Sequence, residues 1–92
     1  MEGLGVDMPP PSMGYFAHPH AIMRMRTRMA AVGVVWSDVL AVLANAAKVL
    51  PGDFGRLNAY GYAANGIRIR VTYHPLTGEV RTVAIADSRY SI

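Results

Sequence analysis

The chain has 92 residues, 52% of them apolar and 16% charged, with a formal net charge of +3. That length makes one domain with a modest core, and so large an apolar share predicts surface that meets a partner or a second copy, so a homo-oligomer is expected. The absence of cysteine excludes disulfides and thiolate metal sites.

Residues 1–14 are rich in Gly, Pro and Met, include Pro9-Pro10-Pro11, and read as a flexible arm ahead of one domain over residues 15–92. The arm has no apolar core of the kind a secretory leader carries. A first helix is expected to start near Pro19, because proline suits the first helical position, and to run to about Val32. Its apolar face is Ala21, Ile22, Met25, Met29 and Val32. His20, Arg24, Thr27 and Arg28 lie on an adjacent face, and Gly33 ends the helix as a capping glycine.

A second helix is expected from Ser37, a good N-cap, with Asp38 at the positive end of its dipole. It would continue to about Leu50 and stop at Pro51-Gly52. The stretch from Ala30 to Leu50 is the longest apolar one, and Ser37, Asp38, Asn45 and Lys48 interrupt it. An aspartate in mid-span costs about 2.5–3.5 kcal/mol on insertion scales. No membrane span is therefore expected, and the reading places the protein in the cytoplasm.

Beyond Pro51 the apolar period changes from helical to alternating. Strands are expected over residues 55–63, 67–74 and 79–87. Asn65-Gly66 is a hairpin signal, and Pro75-Leu76-Thr77-Gly78 is a second one. In the middle strand Ile67, Ile69, Val71 and Tyr73 face one side, and Arg68, Arg70, Thr72 and His74 face the other. The expected fold is α+β, with two N-terminal helices packed on one face of a three- or four-stranded antiparallel sheet whose other face carries the arginines.

The chemistry-bearing residues are few. Acidic residues are Glu2, Asp7, Asp38, Asp53, Glu79 and Asp87, and no two of them have the spacing of a carboxylate pair. The three histidines offer no metal-type pair on one helical face, since Pro19 separates His18 from His20. No metal and no cofactor is expected. Eight of the nine basic residues are arginine. Their planar forks match phosphate geometry, although arginine and alanine usage in a G+C-rich genome would give the same composition.

His20, Arg24 and Arg28 are spaced by four, which places them within about 80° of one another on a helix. An imidazole beside two guanidiniums suits an anion, phosphate in particular. Alternatively His20 helps to cap the helix and the arginines form a solvated face. Arg68, Arg70 and His74 either bind phosphate in a basic cleft or form the wet side of the sheet. Tyr60, Tyr62 and Tyr73 either stack on bases or join the core.

The run His20-Ala21-x-x-Arg24-Met25-x-x-Arg28, followed by Gly33-Val34-Val35-Trp36-Ser37-Asp38-Val39, resembles the opening of the family called domain of unknown function 4258. The resemblance covers about residues 17–87. This chain has Met29-Ala30-Ala31-Val32 where the family usually passes directly from arginine to glycine or asparagine. The family is related to small ribonuclease toxins resembling barnase, colicin nucleases and RelE. The resemblance implies His20 at the mouth of a cleft, Arg24 and Arg28 on one wall, and Arg68 or Arg70 on the other.

Two functions are expected to compete, with simple nucleic-acid binding through the basic face as a third. One is a small, metal-independent ribonuclease of toxin type, with His20, Arg24 and Arg28 catalytic, Arg68, Arg70 and His74 on RNA phosphate, and a cognate inhibitor protein as partner. The other is a non-enzymatic dimeric binding or inhibitor protein, of phage or mobile-element type, acting through its apolar helix surface.

Overall fold

The computed structural model describes residues 14–86. The expected arm falls almost wholly outside them, as do Glu2, Asp7 and Asp87. The elements in chain order are β1 (Phe16–Ala17), α1 (Pro19–Arg24) continued by a π-helical turn (Met25–Met29), α2 (Trp36–Ala44), β2 (Lys48–Pro51), β3 (Leu57–Tyr62), β4 (Arg68–Tyr73) and β5 (Glu79–Ile85). They form an α+β fold with five strands in the order β1-β5-β4-β3-β2.

The sheet is therefore mixed, not a three- or four-stranded antiparallel one. β2 to β5 form an antiparallel meander, and β1 joins β5 in parallel through Phe16↔Glu79 and Ala17↔Val80. A strand of two residues is too short to leave any alternation in the sequence. It is held by Phe16 N–H donating to the Gly78 carbonyl at 3.0 Å and His18 N–H to the Val80 carbonyl at 2.9 Å.

The first helix starts at Pro19 as expected, but its cap is His18. The His18 ring accepts the His20 backbone N–H through Nδ1 at 3.0 Å. Proline at the first position lacks an N–H that would otherwise go unpaired. Past Arg24 the helix widens: the Ala30 N–H reaches back to the Met25 carbonyl, a five-residue step. The Thr27 hydroxyl donates to the Met23 carbonyl at 2.8 Å. The end is a glycine cap, with Gly33 at φ +76°, Gly33 N–H on Ala30 and Val34 N–H on Met29.

The second helix differs more. Its cap position is Val35, not Ser37, and Asp38 occupies the third helical position, where its carboxylate accepts the Val35 N–H at 3.0 Å. It ends at Ala44, and residues 48–51 leave it to become β2. Ala47 N–H already donates to the Tyr60 carbonyl at 2.9 Å, and Lys48, Val49, Leu50 and Pro51 pair with Tyr60, Ala59, Asn58 and Leu57. Helix propensity is a weak preference beside a ladder of that length. Pro51 is tolerated because β2 is an edge strand.

Both helices pack on one face of the sheet. Ala21, Met29, Val34, Val39 and Val42 meet Leu57, Ala59, Ile69, Val71, Tyr73, Val80 and Val83 in one core. At Gly61 the sheet comes so close to α2 that an added Cβ would lie 3.0 Å from Val42 Cγ2. The β3–β4 hairpin locks onto the junction between the helices: Ala64 N–H donates to Asp38 at 3.0 Å, and Asn65 Nδ2 to the Val32 carbonyl at 2.9 Å. In that hairpin only Gly66 has a positive φ, so the turn needs left-handed backbone at one residue rather than at both Asn65 and Gly66.

Candidate phosphate-binding groove at the edge of the sheet

The first helix lies along β5. It enters beside Val80, where His18 is bonded, and by Met29 it has reached the other end of the strand, beside Ala84 and Ile85. His20, Arg24 and Arg28 form a stripe along this course. Four residues of a regular α-helix overshoot one turn by about 40°. The wider turn at Met25–Met29 absorbs part of that excess and holds Arg28 more directly over Arg24.

At the Ile85 end the stripe meets a shallow groove of about 170 Å³, lined by Arg24, Arg28, Met29, Ala84 and Ile85. Arg24 is half-buried, and its Nε is fully enclosed without a hydrogen-bond partner among the described residues. Arg28 and His20 are exposed. The acidic residues among those described are committed or distant. Asp38 holds backbone, Glu79 lies 4.0 Å from Arg81, and Asp53 sits in the β2–β3 turn.

Arg68 and Arg70 are not on the wall facing Arg24 and Arg28. Ile69 and Val71 are fully buried toward the helices, so strand alternation turns Arg68 and Arg70 to the opposite face. The two-walled cleft between helix and sheet therefore does not form as expected. Arg70 and the helix arginines instead share one neighbour, Ala84 on β5. Ala84 lines the groove with Arg24 and Arg28, and it is also the register partner of Arg70. Arg70 Nε is likewise enclosed and without a partner among the described residues. Arg68 lies over the Tyr62 ring, 6.0 Å from its centroid.

His74 stands at the other end of the sheet. Its Nδ1 accepts the Leu76 N–H at 3.3 Å within the β4–β5 turn, which separates it from the groove by the length of β5. Of the tyrosines, Tyr73 is in the core, where burial and then the charge of Tyr15 raise its pKa. Tyr60 is 3% exposed and Tyr62 is 52% exposed, so Tyr62 is the ring of the three open to a ligand.

The Asp38 carboxyl is held below its usual range by the Val35 and Ala64 N–H groups, which outweigh the opposing effect of burial. It is a structural tie. Among the described residues no group of three or more His, Cys, Asp or Glu is placed to hold a metal ion, and no helix is long and apolar enough to cross a membrane.

Sequence reasoning missed Met29, Ala84 and Ile85 as groove residues. Met29 reads from the sequence only as part of the helix's apolar face, and it joins the core as well as the groove; nothing in the sequence marks which end of β5 the helix reaches. Comparison with protein-family models, with curated proteins and with solved structures gives no significant match.

Proposed function

We propose that the protein is a small, metal-independent ribonuclease of toxin type that grips RNA phosphate around the edge of β5. The observation that carries this reading is the set Arg24, Arg28 and Arg70 around Ala84, none with a carboxylate partner among the described residues. Guanidiniums that meet no carboxylate among the described residues suit a phosphate oxygen.

Cleavage needs no metal in this scheme. A base removes the proton of a ribose 2′-OH, the 2′ oxygen attacks the neighbouring phosphorus, and the 5′ oxygen leaves with a proton from an acid. The arginines stabilise the charge that builds on the phosphorane oxygens. His20, exposed one turn before Arg24 on the same stripe, carries one of the two proton transfers. His74 has no part in this step, because it lies at the other end of the sheet.

The test uses purified protein, EDTA and an unstructured RNA, with DNA of the same sequence as control. RNA products ending in a 2′,3′-cyclic phosphate, with DNA untouched, are expected. Intact RNA, or equal cleavage of DNA, would sink the reading.

A second reading, a dimeric non-enzymatic binding protein, is favoured by the outer surface of α2. Its exposed positions Ser37, Leu40, Ala41 and Ala44 carry no charge. Native mass measurement separates the two, since a strict monomer with RNA-cleaving activity leaves the second reading without support.

A further inference from the structure

The turn joining β2 to β3 is Asp53-Phe54-Gly55-Arg56, closed by Arg56 N–H on the Asp53 carbonyl at 3.1 Å. Phe54 has φ +57° and Gly55 φ +75°. Positive φ at both central residues defines a turn that asparagine or glycine normally fills, and a bulky aromatic there is strained. Yet Phe54 is 84% exposed, so little packing among the described residues offsets the strain. Strain kept at an exposed side chain points to a use for that side chain.

The ring has defined company. The Arg56 guanidinium lies 5.5 Å from its centroid. His74 stands beside the same turn: a Cβ added to Gly55 would lie 4.0 Å from its Nε2. Because His74 Nδ1 accepts the Leu76 N–H, Nε2 is the ring's donor. An aromatic face backed by a guanidinium, next to an imidazole N–H, matches an unpaired nucleobase and its phosphate. An apolar protein pocket fits less well, because closing over Phe54 would strip water from Arg56 without giving it a partner. Asp53 is the one acidic group on the turn.

We propose that Phe54 is a base-stacking residue for single-stranded RNA, with Arg56 and His74 on the adjoining phosphate, at the end of the sheet remote from the Arg28 groove. This rests on the RNA reading above and adds a class of substrate: an unpaired strand long enough to touch both ends of the sheet.

The experiment measures binding of the full chain to a short unstructured RNA, 2′-O-methylated so that it is not cleaved, and to a duplex of the same length. Phe54→Asn suits the turn and removes the ring. It is expected to raise the melting temperature while weakening single-strand binding about tenfold or more, with duplex binding unchanged. Phe54→Tyr keeps the ring and is expected to bind within about twofold of the parent, since stacking depends on the aromatic face. If the parent binds the single strand and Phe54→Asn binds it equally well, or loses single strand and duplex alike, the stacking role is overturned while the RNA reading stands. If the parent binds no RNA, both fall.

Discussion

Arg70 and Ala84 face each other across the β4–β5 ladder, and Ala84 also lines the groove that holds Arg24 and Arg28. One small side chain thus neighbours both Arg70 and the arginines of the first helix. If both sets grip one RNA segment, their contributions are coupled. Arg24→Ala and Arg70→Ala are each expected to weaken RNA binding and flatten its salt dependence. A double-mutant cycle is expected to give an interaction energy of about 0.5–3 kcal/mol. Strict additivity would place the two arginines on separate ligands.

The size of Ala84 is part of the same relationship. Ala84→Glu sets a carboxylate between the two arginine sets, where it pairs with them in place of phosphate. RNA affinity is expected to fall at low salt more than at high salt, because the lost attraction is electrostatic. Circular dichroism should show the fold intact, since residue 84 is only half-buried.

Asp38 joins the start of α2 to the β3–β4 hairpin through two backbone N–H groups. Asp38→Ala removes a helix-terminal acceptor and leaves both donors without it, so chemical denaturation should show a loss of about 1–3 kcal/mol. The sign with pH follows from its lowered pKa. The folded state holds the Asp38 proton less tightly than the unfolded chain does. Its contribution is complete above the unfolded aspartate pKa and is lost as pH falls through the folded one. Parent and Asp38→Ala stabilities should therefore converge in acid and differ most near neutral pH.

Gly61 marks a close approach of the sheet to α2. A Cβ there meets Val42 Cγ2 at 3.0 Å, so Gly61→Ala is expected to cost about 1–3 kcal/mol through overpacking. Val42→Ala opens that space, and the double variant should be more stable than the sum of the single losses allows. Thermal unfolding of the four proteins checks it.

Much of the domain is legible in the sequence where a local signal exists. Pro19 starts the first helix, Gly33 ends it, and alternation with two turn signals gives β3, β4 and β5 close to their observed bounds. What stays hidden depends on partners distant in the chain. Residues 48–51 look helical and become a strand because β3 offers them a ladder. Phe16–Ala17 is a strand because β5 has an open edge beside it. For the candidate site, the spacing of His20, Arg24 and Arg28 is readable directly. The placement of Arg68 and Arg70 on the face away from the helices is readable too, because the apolar Ile69 and Val71 alternate with them and turn inward. What strand periodicity does not carry is that Ala84 pairs with Arg70 and also lines the groove of Arg24 and Arg28.

The most direct test is single-turnover cleavage of an unstructured RNA in EDTA by the parent and by His20→Ala, with folding of both checked by circular dichroism. Cleavage by the parent is expected, with a loss of about a hundredfold or more in the variant, the usual contribution of a general acid or base. A folded parent that leaves the RNA intact, or a His20→Ala variant that cleaves at the parent's rate, would contradict the proposed function.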